Sequence, residues 1–219
     1  MSMYKILSVT NRHLCKTDFL KQIEKICILN KKIQTHSKMC KNLNFLKDII
    51  SISIVLREKD LSERNYKILA SKVLKICEEY NTECILHSYY NTAEELGVKK
   101  IHLPLKTLQD TPEIIHKFDS VGVSIHSIED AAIAHDLSAS YITAGHIFDT
   151  DCKKGIPGRG LSFLRNVVKY IDMPVFAIGG ISPLNIKQVI ECGASGVCIM
   201  SGLMAIDNPE DFFNICSSN

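Results

Sequence analysis

No apolar run in this 219-residue chain approaches the ~18–20 residues that a transmembrane helix needs. No sign of charge dominates: 26 Lys and Arg stand against 24 Asp and Glu, for a net charge of +2. That excludes a large field directed at nucleic acid, and no basic run suggests a membrane surface. The nine cysteines include no CxxC pair, and their number is odd. Reduced, buried thiols are therefore expected, not a disulfide framework or a zinc site. The stretch MSMYKILSVT lacks the apolar segment and cleavage site of a signal peptide, so a cytoplasmic protein is expected. No internal repeat and no linker is visible, which favours one domain over residues 1–219.

The hydrophobic share is 46% and the charged share 23%, as in ordinary globular proteins. Short apolar, β-branched runs recur along the whole chain. They cover Tyr4–Val9, Ile50–Leu56, Glu83–Leu86, Lys100–Leu103, Val121–Ser124, Tyr141–Ala144, Val175–Ile178 and Val197–Met200. Strands buried on both faces of a parallel sheet read this way.

Helical patterns separate most of the runs. Asp18–Leu29 puts Phe19, Leu20, Ile23, Ile26 and Cys27 on one face. Ser62 precedes a long amphipathic stretch to Tyr80, and Ser127 precedes another with Glu129 and Asp130 in its first turn. Serine at the cap and acids in the first turn suit a helix N-terminus. Ser182-Pro183 reads as a cap followed by proline at the first helical position, with the helix running to Cys192-Gly193. Eight such units at about 27 residues each predict an α/β fold, a single (β/α)₈ TIM barrel. An open doubly wound sheet fits eight alternating units less well. The basic segment Lys31–Lys47 reads as an irregular connection within the domain.

In such a barrel the working surface is the ring of loops at the C-terminal ends of the strands. Gly179-Gly180 and Met200-Ser201-Gly202, past the last two strands, have the composition of a phosphate cradle: bare backbone N–H groups and a hydroxyl. His126, directly past the fifth strand, is the candidate acid/base, since an imidazole exchanges protons near neutral pH. A structural histidine is the alternative. Arg57, with Glu58 and Lys59, offers a fixed cation past the second strand; a surface charge cluster would look the same. The loop His146–Gly160 is punctuated by glycine and carries Lys153, Lys154 and Arg159. It suits closure over an anion or a plain solvated loop. Asp149 and Asp151 lack a third carboxylate at a useful spacing for a metal. Nothing but the neighbouring lysines marks Cys152 as a nucleophile.

Several segments resemble a known family. These are Val55-Leu-Arg57-Glu58-Lys59, Gly122-Val-Ser124-Ile-His126-Ser127-Ile-Glu-Asp-Ala, Tyr141-Ile-Thr-Ala-Gly145, Ala177-Ile-Gly179-Gly180-Ile-Ser-Pro and Gly193-Ala-Ser-Gly-Val-Cys-Ile-Met200-Ser201. Together and in this order they resemble the thiamine phosphate synthase/TenI superfamily. The resemblance spans nearly the whole chain and is weakest over residues 11–48.

It implies a TIM barrel handling a thiazole phosphate in thiamine biosynthesis. The synthases join hydroxymethylpyrimidine diphosphate to the thiazole phosphate with Mg²⁺. They carry an Asn-Asp pair past strand three and an Asp past strand four. This chain has His87-Ser88 and Thr107 there. The loop Gly145-His146-Ile-Phe-Asp-Thr150-Asp-Cys152-Lys153-Lys154-Gly155 … Gly158-Arg159-Gly160 is closer to the thiazole tautomerase branch.

The resemblance thus implies a tautomerase that aromatises a carboxythiazole phosphate by moving a proton, with His126 as acid/base. Thr150, Lys153, Gly180, Met200 and Ser201 match phosphate-holding positions of the family. Ser124 belongs to the substrate-binding set, and charge assigns Arg57 to the substrate carboxylate. No cofactor and no metal is expected. The partner is a small thiazole phosphate, with neither nucleic acid nor membrane; a homo-oligomer is left open. A thiamine phosphate synthase, or a non-catalytic relative that only binds the phosphate ligand, are the alternatives.

Overall fold

A computed structural model describes residues 3–36 and 49–214. Eight parallel strands close on themselves in chain order. They are β1 (Tyr4–Val9), β2 (Ile49–Leu56), β3 (Cys84–His87), β4 (Lys100–Pro104), β5 (Ser120–Ile125), β6 (Tyr141–Gly145), β7 (Val175–Ile178) and β8 (Gly196–Ile199). The ring is completed by β1 pairing with both β2 and β8. This is the expected (β/α)₈ barrel, with helices in every connection.

Local sequence explains the main helices. In α1 (Phe19–His36), Ile23, Ile26, Cys27, Leu29, Asn30 and Ile33 are buried at helical spacing. The helix runs past the expected end at Leu29, so the segment from Lys31 onward is not an irregular connection as far as His36. Residues 37–48, the rest of that segment, lie outside the described residues. In α2 (Glu63–Glu79), the buried stripe is Tyr66, Ala70, Val73 and Cys77, and the Ser62 hydroxyl accepts from the Asn65 N–H at 3.4 Å. Ser127 caps α5 (Ile128–Asp136) by accepting from the Asp130 N–H at 3.0 Å.

The helix after β7 departs from expectation. α7 spans Ile186–Glu191, so Ser182-Pro183 is not its cap. Asn185 closes a turn there instead: its Oδ1 accepts from the Ser182 N–H at 2.9 Å and its Nδ2 donates to the Gly180 carbonyl at 2.9 Å. α8 (Ser201–Met204) is a single turn after β8.

Two apolar layers result. A large one lies between the sheet and the helices. A smaller one fills the barrel lumen and contains Leu7, Val9, Val55, Ile85, Tyr141, Phe176 and Cys198. The Tyr141 and Phe176 rings meet edge to face, 5.4 Å between centroids, a favoured aromatic geometry. Gly122 makes room for the tyrosine: a Cβ there would lie 2.0 Å from Tyr141 Cζ. Below, Glu83 pairs with Lys100 and accepts from the Ser53 hydroxyl. The lumen is therefore plugged at mid-height and at its N-terminal end, and only its C-terminal end stays open.

Among the described residues, Cys27, Cys77, Cys192 and Cys198 are buried free thiols, and Cys152 is exposed. No described helix is long and apolar enough to cross a membrane.

Candidate active site

Two cavities open at the C-terminal end of the barrel. The inner one, of about 50 Å³, sits on the lumen plug and is walled by Leu7, Val9, Val55, Arg57, His87, His102, Ser124, Thr143, Ile178 and Cys198. The outer one, of about 920 Å³, lies between the loop that joins β6 to α6 (Gly160–Tyr170) and the turns after β7 and β8.

The inner wall is apolar on the β7, β8, β1 and β2 side, apart from Arg57 just past β2, and polar on the β3 to β6 side. His102 is 3% exposed. Its Nε2 lies 2.9 Å from Ser124 Oγ and its Nδ1 lies 3.2 Å from the Tyr141 hydroxyl. Thr143 donates to Ser124 at 3.2 Å. His87 stands beside it, with ring centroids 5.4 Å apart.

Burial first, then Lys59 and Arg57, pushes the His102 pKa down to about 3. Burial, then His102, Lys59 and Arg57, lowers that of His87 as well. Both rings are neutral near pH 7, so Arg57 is the fixed charge in this wall. No carboxylate lines it.

Glu58 does not neutralise its neighbours. Alternation along β2 turns it to the other side of the chain, where it is 2% exposed. Its carboxylate accepts from the Thr10 hydroxyl at 2.7 Å and from the Arg12 guanidinium at 3.0 Å. Arg12 continues to Asp60, tying the β1–α1 and β2–α2 loops together. Among the described residues, Arg57, Lys59 and Lys153 form no ion pair with a carboxylate. Burial, with Arg57 and Lys153 adding, lowers the Lys59 pKa. Three unpaired cations thus gather near one mouth, with Asp149 and Asp151 on the wall of the outer cavity.

The outer cavity brings together Thr150, Lys153, Gly180 and Ser201, four of the residues expected from the sequence. Thr150 caps the 3₁₀ turn Asp151–Lys153 by accepting from the Cys152 N–H. Gly180 has φ +64, and a Cβ there would meet the Asp149 carbonyl at 2.5 Å. Only glycine lets these two loops approach so closely. The Asp149 carboxylate is occupied by the Gly158 N–H at 2.7 Å.

Arg57 and Ser124 line the inner cavity. Met200 lines neither cavity; it packs on the lumen cluster and precedes α8. His126 also lines neither. It is exposed at the rim, past β5. Its Nδ1 lies 3.0 Å from the Gly145 carbonyl, and its backbone N–H donates to Asp130 at 2.7 Å. A carbonyl oxygen only accepts, so Nδ1 carries the proton and Nε2 keeps its lone pair.

Sequence reading missed His102, Thr143 and the Arg12–Glu58 tie. Alternation within β4 was the available signal for His102: Lys100 and His102 face inward while Ile101 and Leu103 pack outward.

The family model described as thiamine monophosphate synthase, of the TMP-TENI group, matches residues 6–203. The chain belongs to the thiamine monophosphate synthase family. Membership places it among the enzymes of thiamine biosynthesis. A thiamine-phosphate synthase of Clostridium acetobutylicum is 30% identical over 172 residues, covering 76% of this chain and 82% of the relative. One from Clostridium botulinum is 27% identical over 209 residues, covering 94% and 92%. The thiamine phosphate pyrophosphorylase of Pyrococcus furiosus superposes with a TM-score of 0.71 at 22% identity, covering 95% of this chain and 91% of that one. That likeness speaks for the fold alone. These names do not distinguish the tautomerase branch that the loop sequence suggested; they are names of synthases.

Within the thiamine monophosphate synthase family, the positions past β3 and β4 bear on metal use. Here His87 lines the inner cavity, Ser88 bonds to its ring, and Thr107 sits in α4 (Leu105–Asp110). Mg²⁺ requires oxygen ligands, chiefly carboxylates. This donor set does not fit it.

Proposed function

We propose that the protein is a thiazole tautomerase acting on a carboxythiazole phosphate. The observation that carries this reading is the inner cavity's lining: a fixed cation, two neutral imidazoles and no carboxylate. Such a wall suits an anionic group bound directly and does not suit a diphosphate carried on Mg²⁺.

The outer cavity holds the phosphate through Ser201, Thr150, Lys153 and the backbone at Gly180. Bare N–H groups and a lysine satisfy phosphate oxygens. Arg57 takes the carboxylate at the inner cavity. His126 moves the proton. The Gly145 carbonyl fixes its tautomer, so Nε2 takes a proton from the ring carbon bearing the carboxylate. The resulting imidazolium returns a proton to the exocyclic carbon, and the ring becomes aromatic. One acid/base suffices because the proton count does not change, and no cofactor is required.

A second reading, a thiamine phosphate synthase, is favoured by the relatives' names. One pair of assays decides. The purified protein is given the thiazole tautomer, with aromatisation followed by ultraviolet absorbance. In parallel it is given thiazole phosphate, hydroxymethylpyrimidine diphosphate and Mg²⁺. Aromatisation that is indifferent to Mg²⁺ is the expected result. Mg²⁺-dependent thiamine phosphate formation without aromatisation establishes the synthase instead. Binding of thiazole phosphate with neither reaction identifies a non-catalytic relative.

A further inference from the structure

The inner cavity contains a side chain that the proposed mechanism leaves unused. His87 is 5% exposed and lines this space. Its Nδ1 lies 2.6 Å from the hydroxyl of its own neighbour, Ser88. Its Nε2 has no hydrogen-bond partner among the described residues. Ser88 is held at φ +70, a conformation uncommon for residues other than glycine. That backbone turns serine back onto the preceding ring.

We propose that Arg57, His87 and Ser88 form a carboxylate subsite in the inner cavity, in which His87 donates from Nε2 and the Ser88 hydroxyl supports the ring at Nδ1. The subsite rests on the tautomerase reading for its ligand, the ring carboxylate of the thiazole phosphate. The Ser88 hydroxyl, 2.6 Å from Nδ1, can donate or accept; a carboxylate only accepts, so a ligand at Nε2 selects the tautomer with the ring proton on Nε2 and Ser88 donating to Nδ1. Arg57 supplies the charge.

Size and charge select the occupant. The inner cavity, about 50 Å³ and open toward the outer one, suits a planar three-atom head at its floor with the ring that bears it above. A cationic or amino group would face Arg57, with Lys59 close behind. A phosphate is bulkier and has its own cradle in the outer cavity. The neutrality of His87, due mainly to burial, leaves the ring with one donor and one acceptor, as the relay needs.

Ser88 is a positioning residue: it acts through the imidazole and not on the ligand. The apolar residues that line the same cavity, Val55 and Ile178 among them, raise the strength of a charge-assisted bond by excluding water.

The test compares two ligands by calorimetric titration: the aromatic thiazole phosphate with its ring carboxylate, and the same ester without it. The wild-type protein should prefer the carboxylated ligand by about tenfold or more, the size expected of a charge-assisted hydrogen bond. His87→Leu should reduce that preference several-fold, the remainder resting on Arg57, and leave affinity for the plain ester unchanged. Ser88→Gly accepts the same φ and removes the hydroxyl; it should reduce the preference several-fold. A preference unchanged by His87→Leu in a folded variant, or its absence in the wild type, overturns the subsite. If a melting curve shows that His87→Leu does not fold, Ser88→Gly decides, and an unchanged preference there overturns the proposal. Because the readout is a binding ratio, failure of the tautomerase reading is separable. A protein that prefers the carboxylate but aromatises nothing refutes the activity and keeps the subsite.

Discussion

Lowering the pH from 7 to 5 should cost the fold about 2 kcal/mol through one side chain, His102. In the native barrel it is 3% exposed, and burial, then Lys59 and Arg57, pushes its pKa from 6.5 to about 3. The unfolded chain takes up this proton below about pH 6.5. The native state does not take it up until about pH 3. Stability therefore falls as pH drops through that window, because the unfolded state binds more protons. At 1.36 kcal/mol per unit, the difference in proton binding between pH 7 and 5 is worth about 2 kcal/mol. The lowered His87 acts in the same direction.

The assay is urea unfolding at both pH values, for the wild type and for His102→Gln. Glutamine keeps hydrogen bonds toward Ser124 and Tyr141 but does not titrate. The variant should lose about 2 kcal/mol less than the wild type over the same interval. Parallel pH profiles for the two proteins would refute the reasoning and place protonated His102 inside the native state.

Three further outcomes follow from the geometry. Gly180→Val should weaken thiazole phosphate binding by at least ~10-fold in a titration, since its side chain meets the Asp149 carbonyl and Phe148 and spreads the cradle. His126→Asn should lower kcat by about 10²–10⁴-fold with phosphate-ligand affinity held within a few-fold; near-normal turnover in a folded variant would assign the proton transfer to another group. Gly122→Ala should destabilise the barrel by about 1–3 kcal/mol in a denaturant titration. Adding Tyr141→Leu, which removes the clashing ring, should recover part of that loss.

The eight strands were legible because each is a short apolar run buried on both faces, and their observed ends fall within a residue or so of the expected ones. α1 was read too short because Lys31, Lys32, Gln34 and Thr35 look like a basic loop. Yet buried Ile33 carries the stripe onward, and Asn30 is buried to accept from the Ile52 N–H at 2.8 Å. A polar residue that serves a neighbouring strand has no local signature. Ser182-Pro183 misled for the opposite reason: the local pattern suits a cap, but Asn185 holds the turn through Gly180.

The outer cavity was legible from loop composition, since glycines, hydroxyls and lysines past the last strands bind anions wherever a barrel places them. The inner cavity was legible only in part, through Arg57 and Ser124. His87, His102, Ser124 and Thr143 come from four different strands, and their contact exists only once the sheet has closed.

The plug of Tyr141 and Phe176 gives the barrel a single door. With the floor filled, the inner cavity can be reached only from the C-terminal rim, past the outer cavity and its Lys153 loop. Two ligands cannot pass one another there. If the proposed tautomerase activity holds, product and incoming substrate compete for one berth, and added aromatic product should inhibit competitively.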